Sequence, residues 1–233
     1  MAKNKTVLAL PGLLCDAYVW QQQAAALADI ADFLVPVFDQ EDSLEAMARK
    51  ALGLCNGKVS VVGHSMGGRA AMVLWRLAPE RVDRLALLDT GAQPRRDGEE
   101  VGRMKLIALA RKQGMEALAD VWLPPMVHPN RTADDGLLQP LREMVQRKTP
   151  EIFANQQNAL LNRPDALPTL ASITVPTLVA VGRDDLWSPV AQHEEMAAAT
   201  PGARLVIFED SGHMSTVENA PAVTAALRDW LTG

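Results

Sequence analysis

Cysteine is nearly absent from this chain: two residues in 233, Cys15 and Cys55. Their number and spacing give no disulfide framework, and the reading is a reducing, cytoplasmic setting. Histidine is also scarce, at four, and the four are scattered, so no metal-ligand cluster is expected. No cofactor motif stands out either. No apolar run approaches the ~18 residues of a membrane span. The start, Met1–Lys5, lacks the apolar stretch of a signal peptide. Positive charge is not in excess: the net charge is −5 and no basic patch is visible, which argues against a nucleic-acid partner. What remains is a soluble globular composition, 48% hydrophobic and 22% charged, long enough for one sizeable core.

What is present begins with Val59–Ser60–Val61–Val62, an apolar strand that runs into Gly63–His64–Ser65–Met66–Gly67–Gly68. Gly-X-Ser-X-Gly between a strand and a helix is the pattern of a nucleophile elbow, a strained turn that lifts a serine hydroxyl above a parallel sheet. Side chains two positions before and after the serine would collide, and Gly63 and Gly67 remove them. The helix that follows is predicted over Arg69–Ala78.

A serine hydroxyl needs a base, and the base needs an orienting carboxylate. His64 adjoins Ser65, so its ring leaves the elbow in another direction. His128 lies in a loop, and His193 reads as part of a solvated helix face. His213 follows the strand Arg204–Phe208, where a loop reaches across the top of the sheet, and it is the predicted base. The acid belongs after the strand Thr177–Val181, where Asp184 and Asp185 are adjacent and compete. Two backbone amides must hold the oxyanion. Met66 supplies one, and Leu13, in the Gly12-containing loop after the first strand, supplies the other.

Strands at Thr6–Leu10, Phe33–Val37, Val59–Val62, Arg84–Leu88, Thr177–Val181 and Arg204–Phe208 alternate with helices at about Val19–Ala28, Leu44–Leu54 and Ala220–Leu231. The expected class is α/β, a mostly parallel, doubly wound sheet of about six strands. Residues 93–170 break the alternation with helical pieces Glu99–Lys112, Met115–Val121, Gly136–Arg147 and Pro150–Leu161. They read as a helical cap inserted between two parts of a core, 1–92 and 171–233. Met104, Leu106, Ile107, Met115, Leu118, Trp122, Leu123, Met126, Met144 and Phe153 are expected on its inner face. Trp122 and Met126, near a Pro-Pro turn, are the expected substrate contacts.

The chain resembles the α/β-hydrolase superfamily over nearly its whole length. The resemblance is carried by Leu10–Leu14, Gly63–Gly68, Val175–Leu178, Gly182–Asp185 through Pro189, and Ser211–His213. In such proteins the acid usually stands four residues before a proline in this loop, which favours Asp185 over Asp184. Two departures stand out: Pro11 occupies a position where many members carry His, and only five residues precede the first strand. The resemblance implies a Ser65–His213–Asp185 triad in a carboxylesterase-like hydrolase acting on small-molecule esters with small to medium apolar acyl groups. A C–C bond or lactone hydrolase is the alternative, with Arg95, Arg96 and Arg163 as possible carboxylate anchors. A ligand-binding protein with an idle triad is the reading from outside enzymology.

Overall fold

In a computed structural model that describes residues 5–233, the apolar runs fall into a six-stranded sheet. The strands are β1 (Lys5–Leu10), β2 (Ala31–Leu34), β3 (Val59–His64), β4 (Val82–Leu88), β5 (Thr177–Gly182) and β6 (Arg204–Phe208), in the order β2-β1-β3-β4-β5-β6. Every neighbouring pair is parallel. All six residues of β3 and of β5 are buried, as strands covered on both faces should be, whereas β6 at the edge begins exposed. The second strand lies earlier than the sequence suggests. It pairs Lys5 with Ala31 through Leu8 with Leu34, and the apolar run beyond it meets Pro36, which has no N–H for a ladder.

The helices are α1 (Gln21–Ala26), α2 (Leu44–Leu52), α3 (Met66–Leu77), α4 (Glu99–Trp122), α5 (Asp135–Gln146), α6 (Pro150–Leu161), α7 (Leu167–Leu170), α8 (Val190–Ala199), α9 (Ser215–Glu218) and α10 (Ala220–Thr232). Side-chain caps define several starts: Ser43 accepts from Ala46 N at 3.2 Å, Asp134 from Leu137 N at 3.1 Å and Thr149 from Ile152 N at 3.3 Å. Each such cap contributes about 1 kcal/mol. Helix α3 starts directly after Ser65, three residues earlier than the pattern suggests, because the elbow turns straight into it. The two pieces expected between residues 99 and 121 lie in one helix, α4, broken by non-helical backbone at Gly114. Among the residues expected on its inner side, Met104 instead faces solvent, while Ile107, Met115, Leu118 and Trp122 are buried. Among the described residues no helix is long and apolar enough to cross a membrane.

The strand order places the site. Chain connections run outward in one direction from β1 to β2 and in the other from β3 to β4. The loops leaving β1 and β3 therefore diverge, and a crevice opens between them at the C-terminal edge of the sheet. Helices α4 and α6, which enter between β4 and β5, supply the far wall of that crevice.

Candidate active site

Ser65 ends β3 with φ 54° and ψ −117°, a conformation that costs a non-glycine residue about 1–3 kcal/mol. The surroundings hold it there. Its amide donates to Leu88 O at 2.9 Å, and its carbonyl accepts from Thr90 Oγ1 at 2.7 Å. The flanking glycines are required by close approach. A Cβ on Gly63 would lie 2.3 Å from Gly67 O, and one on Gly67 would lie 2.1 Å from Leu10 O.

Three side chains from different loops meet in a hydrogen-bonded chain. His213 Nε2 is 2.7 Å from Ser65 Oγ, and His213 Nδ1 is 2.8 Å from Asp185 Oδ2. With Nδ1 donating to the carboxylate, Nε2 is left to accept the serine proton. The other oxygen, Asp185 Oδ1, accepts from the Trp187 and Ser188 amides at 2.8 and 2.9 Å. Burial opposes ionisation of Asp185, but the charge and hydrogen bond of His213 and the two amides outweigh it, holding the carboxyl below its usual range. Burial likewise opposes charge on His213, and Asp185 overcomes it, so the imidazole pKa lies above 6.5. Asp184 points elsewhere and pairs with His128 at 3.3 Å.

Met66 is the first residue of α3, where the helix leaves amides without an intrahelical acceptor. Leu13 lies on the loop after β1, whose next amide, Leu14 N, is taken by Gln156 Oε1 at 2.8 Å. Leu13 and Met66 both line the cavity that holds Ser65 and His213, a space of about 520 Å³. Trp122 and Met126 line it too, from the far wall. Cys15 borders the same space, but burial and then the charge of Asp16 push its thiol up to about 12, so it is a packed neutral group. Of the proposed arginine anchors, Arg96 and Arg163 line the cavity, whereas Arg95 is exposed and pairs with Glu100.

Several residues that hold this arrangement escaped the sequence reading. His193 is fully buried rather than solvated. Its Nε2 accepts from Thr90 N at 3.0 Å, so α8 braces the residue that braces Ser65. The available signal was phase: His193 and Met196 share a face of α8, three residues apart. Glu218 accepts from the amides of Gly212 and Met214 at 2.9 and 3.2 Å, clamping the loop on both sides of His213. Asp89 accepts from Gly182 N at 2.9 Å and from Ser215 Oγ. Burial and then the nearby charge of Asp185 push its carboxyl well above the usual range.

The buried His193 carries a pH signature. Burial pushes its pKa down from 6.5 to about 4, against the opposing pull of the Pro189 carbonyl and Asp185. Between those values the unfolded chain takes up a proton that the native ring refuses. The stability it contributes is therefore present above pH 6.5 and is lost as pH falls toward 4. From pH 7 to pH 5 the loss is about 2 kcal/mol. The variant His193→Gln keeps an acceptor near Thr90 without the titration. Urea unfolding at both pH values should show it losing about 2 kcal/mol less than wild type on acidification.

Comparison with known proteins gives the same architecture a wider setting. A thermophilic esterase from Thermogutta terrifontis, solved with malate bound, shares 30% identity with a TM-score of 0.90, covering 98% of this chain and 90% of that one. An enol-lactonase from Burkholderia xenovorans LB400 shares 29% identity with a TM-score of 0.88, over 100% of this chain and 93% of that one. In sequence, the 2-hydroxy-6-oxononadienedioate/2-hydroxy-6-oxononatrienedioate hydrolase of Escherichia coli strain K12 is 25% identical over 192 residues. That match takes in 75% of this chain, which spans 62% of the length of the E. coli protein. The profile of the alpha/beta hydrolase family matches residues 7–227, from the first strand through the last helix. Sheet order, serine turn and sequence profile coincide over the same stretch, and this protein belongs to the alpha/beta hydrolase family.

Proposed function

We propose that this protein is a serine hydrolase of carboxylic esters and lactones that works through an acyl-enzyme on Ser65. The observation that carries the reading is the continuous hydrogen-bonded chain from Ser65 Oγ through His213 to Asp185 on the floor of a cavity large enough for a small-molecule ester. Ser65 Oγ attacks the carbonyl carbon as His213 Nε2 takes its proton. The carbonyl electrons move onto oxygen, where the Met66 and Leu13 amides receive the charge. Collapse expels the alkoxide, which takes the proton from His213. Water then enters and attacks the acyl carbon as it gives a proton to His213, and His213 returns that proton to Ser65 Oγ as the acid leaves. Asp185 keeps the ring in the working tautomer and offsets the charge that forms on it.

In this reading residues 93–170 act as a cap, and Trp122 and Met126 contact the acyl group. The two free thiols, Cys15 and Cys55, support a cytoplasmic setting. Lactone opening has specific support in the similarity to the Burkholderia enol-lactonase. C–C bond hydrolysis is the second reading, supported by the similarity to the E. coli hydrolase. It uses the same three residues on a β-diketone-like substrate.

The test is to trap the intermediate. Rapid quenching of the wild type with p-nitrophenyl butyrate, followed by intact mass, should show one butyryl group added, located on the peptide that contains Ser65. Ser65→Ala should show none. Steady release of nitrophenol with no acyl-enzyme at any time would sink the covalent mechanism.

A further inference from the structure

The cavity wall is more cationic than an apolar ester requires. Beyond the hydrogen-bonded chain at Ser65, it is lined by four guanidinium groups, Arg69, Arg96, Arg103 and Arg163, and by two carboxylates, Asp97 and Glu99. Most of these charges are already spoken for. Arg163 bonds both oxygens of Glu99, at 2.7 and 2.6 Å, and also reaches the carbonyls of Gln93, Pro94 and Leu160. Arg103 bonds Glu99 at 2.8 Å as well, and bonds Gln157. Burial opposes ionisation of Glu99, but hydrogen bonds from Arg163, the Arg96 amide and Arg103 hold it at about 2, so it is a permanent anion shared by two arginines. Arg96 and Asp97 are exposed at the rim.

Arg69 differs from the others. It stands four residues after Ser65 on α3, one turn along the helix on the face that carries the nucleophile. A guanidinium has five N–H donors. The hydrogen bond found for this one is from Nη1 to Gln93 O, at 2.9 Å, and no carboxylate pairs with it among the described residues. Its Nη2 passes beside Gly91, itself part of the cavity wall, so near that a Cβ there would sit 3.1 Å away. Burial, and then the repulsion of Arg163, push its pKa down to about 9, with Glu99 pulling the other way. Arg69 still carries its charge at neutral pH, held partly away from water and lining the cavity with no carboxylate bonded to it.

We propose that Arg69 is the receptor for a carboxylate on the substrate, and that the substrate is accordingly an ester or lactone of an acid bearing a second, ionised carboxyl group. The planar fork of arginine matches a carboxylate with two parallel hydrogen bonds. With Arg103 and Arg163 tied to Glu99, Arg69 has the donors left to give. This rests on the reading of Ser65 as nucleophile: Arg69 would fix the far end of the acid while the carbonyl meets Ser65.

Two substrates of equal length isolate the charge: p-nitrophenyl hydrogen glutarate and p-nitrophenyl methyl glutarate. In the wild type, kcat/KM for the charged ester should exceed that for the neutral one by about tenfold to a hundredfold. In Arg69→Met that ratio should collapse to about one or below, mainly through KM, and Arg69→Lys should restore part of it. An equal ratio in wild type and Arg69→Met would overturn the proposal. A second measurement does not depend on turnover. Free glutarate should raise the melting temperature of the wild type and of Ser65→Ala, but not that of Arg69→Met. Equal stabilisation of all three, or of none, overturns it. Should Arg69→Met fail to fold, Arg69→Lys and the wild-type charge preference decide. If Ser65→Ala binds glutarate yet hydrolyses either ester as fast as wild type, the nucleophile reading falls while the carboxylate site stands.

Discussion

Ser65→Ala and His213→Ala are each expected to lower kcat for p-nitrophenyl butyrate by about 10⁶-fold, and the double variant by no more than either. The lack of additivity is the sharper half of the expectation. Without His213, the Ser65 hydroxyl keeps its proton and is a poor nucleophile. Without Ser65, His213 has nothing to activate but water held in the wrong place. Asp185→Asn should cost about 10⁴-fold, because an amide beside Nδ1 favours the tautomer that places the proton on Nε2, where it faces Ser65 Oγ. A double variant measurably slower than both single ones would show that the two groups act separately, and the 2.7 Å contact between them would not be the reacting pair.

The same chain fixes the sign of the pH dependence. A base must be unprotonated, so kcat/KM falls as pH drops through the pKa of His213. Asp185 holds that pKa above 6.5 against the effect of burial, and the acid limb should therefore lie above 6.5 in the wild type. His64 and His193 sit close by with pKa values near 4, so neither titrates in the window where His213 does.

The parts of this arrangement that were legible in the sequence are those written in local pattern. Val59–Val62 is an unbroken apolar run because β3 is covered on both faces, and the spacing of Gly63 and Gly67 records a collision within one turn. The order serine, carboxylate, histidine is legible because each follows a strand, and strands announce themselves; the strand does not choose between Asp184 and Asp185, which only the family resemblance separates. What was not legible is written across the fold. Thr90 and His193 meet over 103 residues, and Leu14 and Gln156 over 142. In sequence His193 is surrounded by Gln192, Glu194 and Glu195, a polar setting that reads as solvent-facing. Only its phase with Met196 contradicts that setting. Arg69 was passed over for a related reason: the sequence showed arginines near the cap, and nothing local distinguished Arg163, bound to Glu99, from Arg69, with no carboxylate to pair with. Partnership, not residue type, separates an anchor for the fold from an anchor for a ligand.

Gly67→Ala is expected to be among the most damaging substitutions in the chain, although it adds only one methyl group. Its Cβ would sit 2.1 Å from Leu10 O, 2.5 Å from Leu10 C and 2.7 Å from Pro11 O. All three are backbone atoms at the end of β1, which is hydrogen-bonded to β3 through Leu10 and Gly63. A flexible side chain could swing aside, but a strand locked into the centre of a parallel sheet cannot. Relief requires β1 and the loop carrying Leu13 to move by on the order of an ångström relative to α3. Destabilisation of about 3–5 kcal/mol should follow, read as a fall in the urea midpoint. If the variant folds, kcat should fall by about 10²-fold or more, because the same displacement separates the two amides assigned to the oxyanion. Gly102→Ala is the control. Nothing lies within 4 Å of its Cβ, and its helical position should gain about 0.5–1 kcal/mol from the exchange. The contrast ties the steric demand of the elbow to the chemistry above it. In the proposed mechanism Leu13 and Met66 face one developing charge because the end of β1 touches α3 at a residue with no side chain. If Gly67→Ala retained both stability and kcat, that contact would not be what sets the distance between them.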